Sequence, residues 1–328
     1  MIRIGHGLID EAALPRSGRL FLVTDENVAA AGWPDRLGAD YAGRAVLAPG
    51  EASKTLAVVE ALLDAMIEAR IEREDHVVAV GGGVVGDVAG FAAALLKRGC
   101  PWVCVPTSLL AQADSAVGGK TAVNARQGKN LIGAFHPPAL VLIDPDALDT
   151  LPPDELRAGY AEIVKYGLIG DPDFFAWCEA NGGALLAGDA QARLLAIETC
   201  VRAKTALVAG DERDTKGRRA LLNFGHSFGH AIEAETGMKH GEAVAVGMVL
   251  AMRLSVELGC CPSSDADRAA AHLAAVGLPT GVAADPDTLA ARMVHDKKGA
   301  SLILSRGIGR AFVGAAADLA GFLRRALA

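Results

Sequence analysis

The chain has 328 residues, long for one hydrophobic core, so a two-domain organisation is the natural division. Apolar residues make up 51% and aromatic residues only 5%, a composition that excludes a disordered chain. The net charge of −7 argues against nucleic acid or an anionic membrane surface as main partner, so any anionic ligand needs a local cluster of Lys and Arg.

The opening "MIRIGHGLIDEA" has no apolar run of signal-peptide length. The runs "RLFLVTDEN", "RAVLAPG", "HVVAVGGG", "WVCVPTS" and "ALVLIDP" then read as strands separated by amphipathic segments such as 55–70. This alternation predicts an α/β domain, a mostly parallel sheet wrapped by helices, over residues 1–150. After the Pro152-Pro153 pair strand signals nearly vanish, and helical segments at 183–208, 219–235, 241–259 and 265–276 predict an α-helical domain over 151–328. The late run "SLILSRGIGRAFVG" reads as a hairpin before a last helix.

Two apolar stretches, "GVVGDVAGFAAALL" and "AVAVGMVLAMRLSV", are too short to span a bilayer and carry Asp87 and Arg253, so they read as buried helices. The six cysteines form no CxxC pair, which fits reduced thiols in a cytoplasmic protein.

Gly81, Gly83 and Gly86 follow a strand and open a helix in G-x-G-x-x-G spacing, which lets backbone N–H groups approach a dinucleotide pyrophosphate. A ligand-free tight turn has the same spacing. The turn lies unusually late, and the next strand, "WVCVPTS", lacks a terminal acid; Asp25, ending the first strand, is the better ribose partner. The Gly-rich "GGKTAVNARQGKN" reads by itself as a surface loop bearing Lys120, Lys129 and Asn130, with Arg98, Thr107, Ser108 and Asp114 nearby in sequence.

Arg219, Asn223, His226 and His230 recur at i, i+4, i+7 and i+11, which on one helix confines them to a stripe about 40° wide. On an otherwise apolar helix such a stripe must face partners, whether a metal or a structural polar network. His240 opens another helix, and Glu162 lies one turn before Lys165. One Glu and two His with an open position is the donor set of catalytic zinc. Spacing leaves open which two of the three His would coordinate. The cations Arg98, Lys120, Lys129, Lys165, Lys204, Arg219, Lys297 and Lys298, collected in an acidic chain, point to a pocket for a small anion such as a phosphate ester bearing a carboxylate.

Read in order from about residue 20 to residue 300, "PGEASKT", "GGGVVGDVAGF", Arg98-Gly99, "VPTSLLAQADSAVGGKTAVN", "GKNLIGAFH", "TLPPDELRAGYAEIVKYG", "LLNFGHSFGHAIE", "HGEAVAVGM" and "DKK" resemble the 3-dehydroquinate synthase family. The resemblance implies a Rossmann-like NAD-binding domain followed by a helical metal- and substrate-binding domain. It implies a carbon–oxygen lyase of the shikimate pathway that turns 3-deoxy-D-arabino-heptulosonate 7-phosphate into 3-dehydroquinate and phosphate. The resemblance further implies that NAD is reduced and reoxidised within one turnover and that one divalent ion, zinc or cobalt, acts as Lewis acid.

By the same resemblance Glu162, His226 and His240 hold the metal and His230 faces the substrate. Arg98, Lys120, Asn130, Lys165, Lys204, Arg219, Asn223 and Lys297 or Lys298 match positions that hold phosphate, carboxylate and hydroxyls. Asp25, Asn27, Glu51, Lys54, Gly82, Gly83, Asp87, Thr107, Ser108, Asp114, Lys120, Lys129 and Thr150 match positions that bind NAD. A homodimer is expected from family likeness.

The sequence departs from the family pattern at Asp214, where Glu is usual, with one residue extra before Arg219, and at Ser108, where Thr is usual. The segment between His226 and His240 looks short and the N-terminal segment trimmed. Cyclases acting on sedoheptulose 7-phosphate or glucose 6-phosphate and metal-dependent polyol or glycerol dehydrogenases share the scaffold. Retention of Lys120, Asn130, Lys204, Arg219, Asn223 and His230 together favours the carboxylate-bearing heptulosonate.

Overall fold

A computed structural model of the protein describes residues 1–11, 14–15, 17–211, 214, 217–296 and 302–327. Contacts divide the chain into two units, Met1–Pro152 with Arg193–Arg213, and Pro153–Ala192 with Asp214–Ala328.

In the first unit, strands β1 (Ile2–Ile4), β2 (Leu20–Asp25), β3 (Gly43–Leu47), β4 (His76–Gly81), β5 (Trp102–Pro106) and β8 (Leu140–Ile143) form one sheet in the order β1-β8-β5-β4-β2-β3. Every neighbouring pair is parallel. The central strand β4 is buried at all six positions, as expected where both faces of a parallel sheet are covered. Leu20, Leu22, Val78, Val80, Val103, Val105 and Leu142 from four strands belong to one core cluster with Ile9, Trp33 and Leu37. From β2 the chain moves outward to β3, whereas β4 leads to β5 on the other side. The sheet therefore reverses direction between β2 and β4, and in such sheets ligands bind beyond the carboxyl ends of the strands at this point.

Between β5 and β8 lies a hairpin, β6 (Lys120–Ala125) with β7 (Gly128–Phe135), in place of the surface loop read from "GGKTAVNARQGKN". Its glycines are not turn residues throughout: a Cβ on Gly133 would lie 2.2 Å from the Thr121 carbonyl oxygen. Close strand approach, together with buried Thr121 and Val123, explains why this Gly-rich stretch is strand.

The sequence reading placed residues 193–213 with the second domain, but they group with the first unit. Within helix Ala190–Val208, Arg193 pairs with Asp149 at 2.6 Å and Lys204 with Asp114 at 2.6 Å. The expected single helix over 183–208 is two helices, because Gly188 takes φ +101° after Pro172–Leu186.

The second unit carries helices Pro153–Gly170, His226–Thr236 and His240–Glu257. The predicted helix 219–235 is also interrupted. Arg218–Asn223 is a short 3₁₀ turn, and Gly225 adopts φ +79° before the helix starts at His226. A side chain on Gly225 would meet Met248 Cγ at 2.6 Å and the Val244 carbonyl oxygen at 2.9 Å, so both conformation and packing require glycine. Arg219 and Asn223 therefore do not share a helical stripe with His226 and His230. The three helices approach with almost no side chain between them: a Cβ on Gly241 would lie 1.9 Å from the Ala158 carbonyl oxygen, and one on Gly247 2.1 Å from that of Gly225.

The late apolar run forms the expected hairpin, β9 (Leu302–Ser305) antiparallel to β10 (Ala311–Gly314), followed by helix Leu319–Ala326. Among the described residues no helix is long and apolar enough to cross a membrane.

Candidate active site

In the second unit the ligand atoms of Glu162, His226 and His240 lie within 4.8 Å of one another. Each comes from a different helix: Glu162 from the middle of Pro153–Gly170, and His226 and His240 from the first positions of the next two. Glu162 Oε1 is 3.5 Å from His226 Nε2 and 3.6 Å from His240 Nε2. That oxygen is fully buried with no hydrogen-bond partner, which would cost about 1–3 kcal/mol if nothing met it there.

The opposite edges of the rings are engaged. His226 Nδ1 lies 3.2 Å from the Phe224 carbonyl oxygen and His240 Nδ1 3.3 Å from Glu233 Oε2. With Nδ1–H donating outward and an ion in place of any Nε2 proton, both Nε2 atoms would offer lone pairs beside Glu162 Oε1, the donor arrangement a zinc-like ion requires. A buried carboxylate oxygen without a hydrogen-bond partner, set between two imidazole nitrogens, fits a divalent cation. Another His/Asp grouping, His6 with Asp144 and Asp146, differs in that both Asp144 oxygens accept backbone N–H groups.

Without an ion the two histidines differ in charge. Burial opposes charge on Glu162, yet Lys165, with Nζ 2.5 Å from Oε2, and the two histidines hold the carboxyl well below the usual range. Burial dominates at His226 and takes its pKa down to about 3. At His240 burial is outweighed by Glu162 and Glu233, which push the pKa up to about 9. His230 completes the cluster on the helical face of His226, its ring centre 5.4 Å from that of His226 and 5.8 Å from that of His240. Lys165 and Arg219 are buried cations of the same unit; Asn223 is half-buried beside the break at Gly225.

In the first unit, helix Gly83–Leu95 begins directly beyond β4 with no side-chain cap at Gly82, so its first N–H groups are left for another acceptor. Ser108 Oγ would lie 3.4 Å from a Cβ on Gly82, and Ser115 Oγ 3.1 Å from one on Gly83, so the approach to these N–H groups is lined by hydroxyls and lacks bulk. Thr107 and Ser108 follow β5, Asp25 ends β2 and Asn27 follows it, at the carboxyl ends where the sheet reverses. Asp25 caps its own helix by accepting from Val28 N–H, and Thr150 Oγ1 accepts from Trp33 Nε1 at 2.7 Å, so part of each side chain's bonding capacity is already used.

Lys54 is buried, with Nζ 2.7 Å from Asp87 and 2.5 Å from Asn130 Oδ1; burial lifts the Asp87 pKa against the pull of Lys54. Asn124 donates to Glu51 at 2.8 Å and accepts from the Asn130 N–H at 2.9 Å, while Lys129 lies 3.8 Å from Glu51. Glu51, Lys54, Asp87, Lys129 and Asn130 are thus brought into one network, with Asn124 as a bridge that the sequence reading did not single out. Its signal was present as the final residue of "VPTSLLAQADSAVGGKTAVN". Asp114 sits on a wide π-type turn, Ala111–Ser115, and is held to Lys204. Lys120 and Arg98 are exposed, Arg98 in a left-handed conformation at φ +69°. Lys297 and Lys298 lie outside the described residues.

Models of the N-terminal and C-terminal domains of 3-dehydroquinate synthase match residues 44–158 and 159–299. The chain is 52% identical to the 3-dehydroquinate synthase of Rhodospirillum rubrum, over 98% of this chain and 90% of that protein. It is 51% identical to that of Zymomonas mobilis, over 95% and 88%. The chain belongs to the 3-dehydroquinate synthase family. Like the 3-dehydroquinate synthases it matches, it is a carbon–oxygen lyase.

Among solved structures it resembles 2-epi-5-epi-valiolone synthase from Streptomyces hygroscopicus with NAD+ and Zn2+ bound, at a TM-score of 0.92 and 30% identity over 99% of this chain and 95% of that one. It also resembles 2-deoxy-scyllo-inosose synthase complexed with carbaglucose-6-phosphate, NAD+ and Co2+, at a TM-score of 0.88 and 29% identity over 99% and 96%. A butanol dehydrogenase from Thermotoga maritima, at 16% identity and a TM-score of 0.69, shares the fold alone. Half-identity to 3-dehydroquinate synthases along nearly the whole chain favours that family's reaction over the other cyclases and the dehydrogenases.

Proposed function

We propose that this chain converts 3-deoxy-D-arabino-heptulosonate 7-phosphate to 3-dehydroquinate and phosphate, with Glu162, His226 and His240 holding the divalent ion. The observation that carries the assignment of the ion is the buried, unpartnered Glu162 Oε1 lying 3.5 and 3.6 Å from two imidazole nitrogens. An ion in this place would supply Lewis acidity toward substrate hydroxyls, and NAD would supply a reversible hydride acceptor.

The remaining work falls to side chains. His230, beside the proposed ligands, exchanges a proton with the substrate hydroxyl being oxidised. With a substrate hydroxyl oxidised to a ketone, the neighbouring C–H would be acidic and phosphate could leave by β-elimination; once the ketone was reduced again, ring opening and an intramolecular aldol closure would give 3-dehydroquinate. Lys165, Arg219, Lys204, Lys120, Asn130 and Asn223, with Arg98 and a lysine of the 297–298 pair, hold phosphate, carboxylate and hydroxyls by charge-assisted hydrogen bonds. For NAD, the uncapped helix at Gly82-Gly83 receives the pyrophosphate, and Asp25, Asn27, Glu51, Lys54, Asp87, Thr107, Ser108, Asp114, Lys129 and Thr150 surround the cofactor. In this reading the unit Met1–Pro152 with Arg193–Arg213 binds NAD, and the unit Pro153–Ala192 with Asp214–Ala328 carries the metal. The enzyme works in the cytoplasm as a homodimer without nucleic acid or membrane partners, in keeping with the net charge of −7.

The test is phosphate release from the heptulosonate phosphate with NAD and zinc or cobalt, with and without chelator. The expected result is chelator-sensitive phosphate release with no net NADH. Steady NADH accumulation, or faster release from sedoheptulose 7-phosphate, would move the chain to another activity.

A further inference from the structure

The proposed ion needs both imidazole Nε2 atoms turned toward Glu162 Oε1, and the two rings are restrained very differently. His226 is held by its own main chain, through the Phe224 carbonyl oxygen, and only 12% of its side chain is exposed. His240 is the first residue of its helix and 34% exposed, with the rings of His226 and His230 against it at 5.4 and 5.8 Å, so packing restrains it less than it restrains His226. What meets it is Glu233, with Oε2 3.3 Å from Nδ1. Glu233 lies seven residues after His226 and three after His230 on one helix, so all three side chains share the face that His240 meets.

We infer that Glu233 is the positioning residue of the metal centre: by accepting the Nδ1–H of His240 it fixes the tautomer and aims Nε2 at the position shared with Glu162 and His226. This rests on the metal assignment proposed above. Two features make Glu233 suited to the role. Its side chain is 11% exposed, so the hydrogen bond is shielded from water. Its charge also raises the basicity of a neutral imidazole ligand without itself approaching the ion. The centre is then built asymmetrically, one histidine set by the main chain at the helix break and the other by a carboxylate.

The experiment compares the parent protein with Glu233→Leu and Glu233→Gln, reading zinc affinity by competition with a chromophoric chelator, the visible spectrum of the cobalt form, and the melting temperature of the metal-free protein. The parent is expected to bind one ion per chain. Glu233→Leu is expected to lose about 10–100-fold in zinc affinity and to change the cobalt spectrum, with at most a small fall in the metal-free melting temperature. Glu233→Gln, which still accepts the Nδ1–H, should recover part of both. Parental affinity and spectrum in Glu233→Leu would overturn the inference. So would a loss that follows melting temperature alone, which marks a helix strap, or a loss as complete as that of His240→Ala without rescue by Gln, which marks a direct ligand. If the parent itself binds no ion, the metal assignment fails first and the inference falls with it.

Discussion

The carboxyl end of the sheet in the first unit and the helix cluster in the second solve opposite problems. At Gly82-Gly83 the binding groups are main-chain N–H donors, and what matters is the absence of side chains: no cap, and hydroxyls where a Cβ would go. Around Glu162 the binding groups are side chains on three helices, and glycine serves instead to bring backbones close, at Gly241 and Gly247. The difference teaches that a glycine motif announces itself in local sequence. A metal triangle, by contrast, depends on residues 64 and 14 positions apart along the chain, from Glu162 to His226 and from there to His240.

Substitutions should separate the two constructions. The largest effect is expected for His226→Ala: loss of stoichiometric zinc together with at least about a 10³-fold fall in phosphate release, as removal of a Lewis acid worth several kcal/mol implies. Retained zinc by metal analysis would break the triangle. His230→Ala should keep the ion and slow turnover by roughly 10²–10⁴-fold, the range of a lost proton-transfer group; equal metal loss in both variants would erase the division of roles.

Gly247→Ala probes the close helix approach, since its Cβ would fall 2.1 Å from the Gly225 oxygen. Overpacking of this kind costs about 1–3 kcal/mol, so a lower melting temperature and weaker zinc binding should appear together. Gly83→Ala probes the other construction. The tightest contact of its Cβ is Ser115 Oγ at 3.1 Å, with Leu110 Cδ2 at an ordinary 3.7 Å, so the melting temperature should hold while the dissociation constant for NAD rises, read by quenching of protein fluorescence. If both glycine variants damaged stability alike, the contrast between the regions would be lost.

The smallest effect concerns protons. In the metal-free protein the pKa of His240 is raised from 6.5 to about 9, so its charged form stabilises the fold fully below pH 6.5, and that contribution is lost as pH rises through about 9. Zinc takes the place of that proton, whereas His226, down at about 3, has none to give at neutral pH. Binding at pH 7 should release about one proton, and none well above pH 9, measured by calorimetry in buffers of different ionisation enthalpy.

Much of the fold is legible in the residues because parallel strands advertise themselves. "HVVAVG" is a continuous apolar run, as a strand buried on both faces must be, and the glycines after it mark the turn. The helical segments are visible as composition but not in their breaks. A 100° periodicity runs unbroken through 219–235, yet Gly225 takes a left-handed turn because Val244 and Met248 press against it. That constraint is tertiary, so the four-residue stripe dissolved while His226 and His230 stayed together. The grouping of residues 193–213 with the first unit is equally tertiary, since periodicity gives a helix its apolar face but not its partner. Glu162 stood out beside Lys165 as a candidate donor, its grouping with His226 and His240 came from resemblance to the family, and the carboxylate behind His240 was not found at all. A Glu three residues after a histidine on a helix looks like a solvent-facing charge until His240 is seen 3.3 Å away.

The most direct test of the account is X-ray diffraction from zinc-loaded crystals with anomalous data at the metal edge. The account predicts a single strong peak about 2.0–2.2 Å from Glu162 Oε1, His226 Nε2 and His240 Nε2. A zinc peak elsewhere, for instance at His6 and Asp146, with those three side chains unligated, would contradict it.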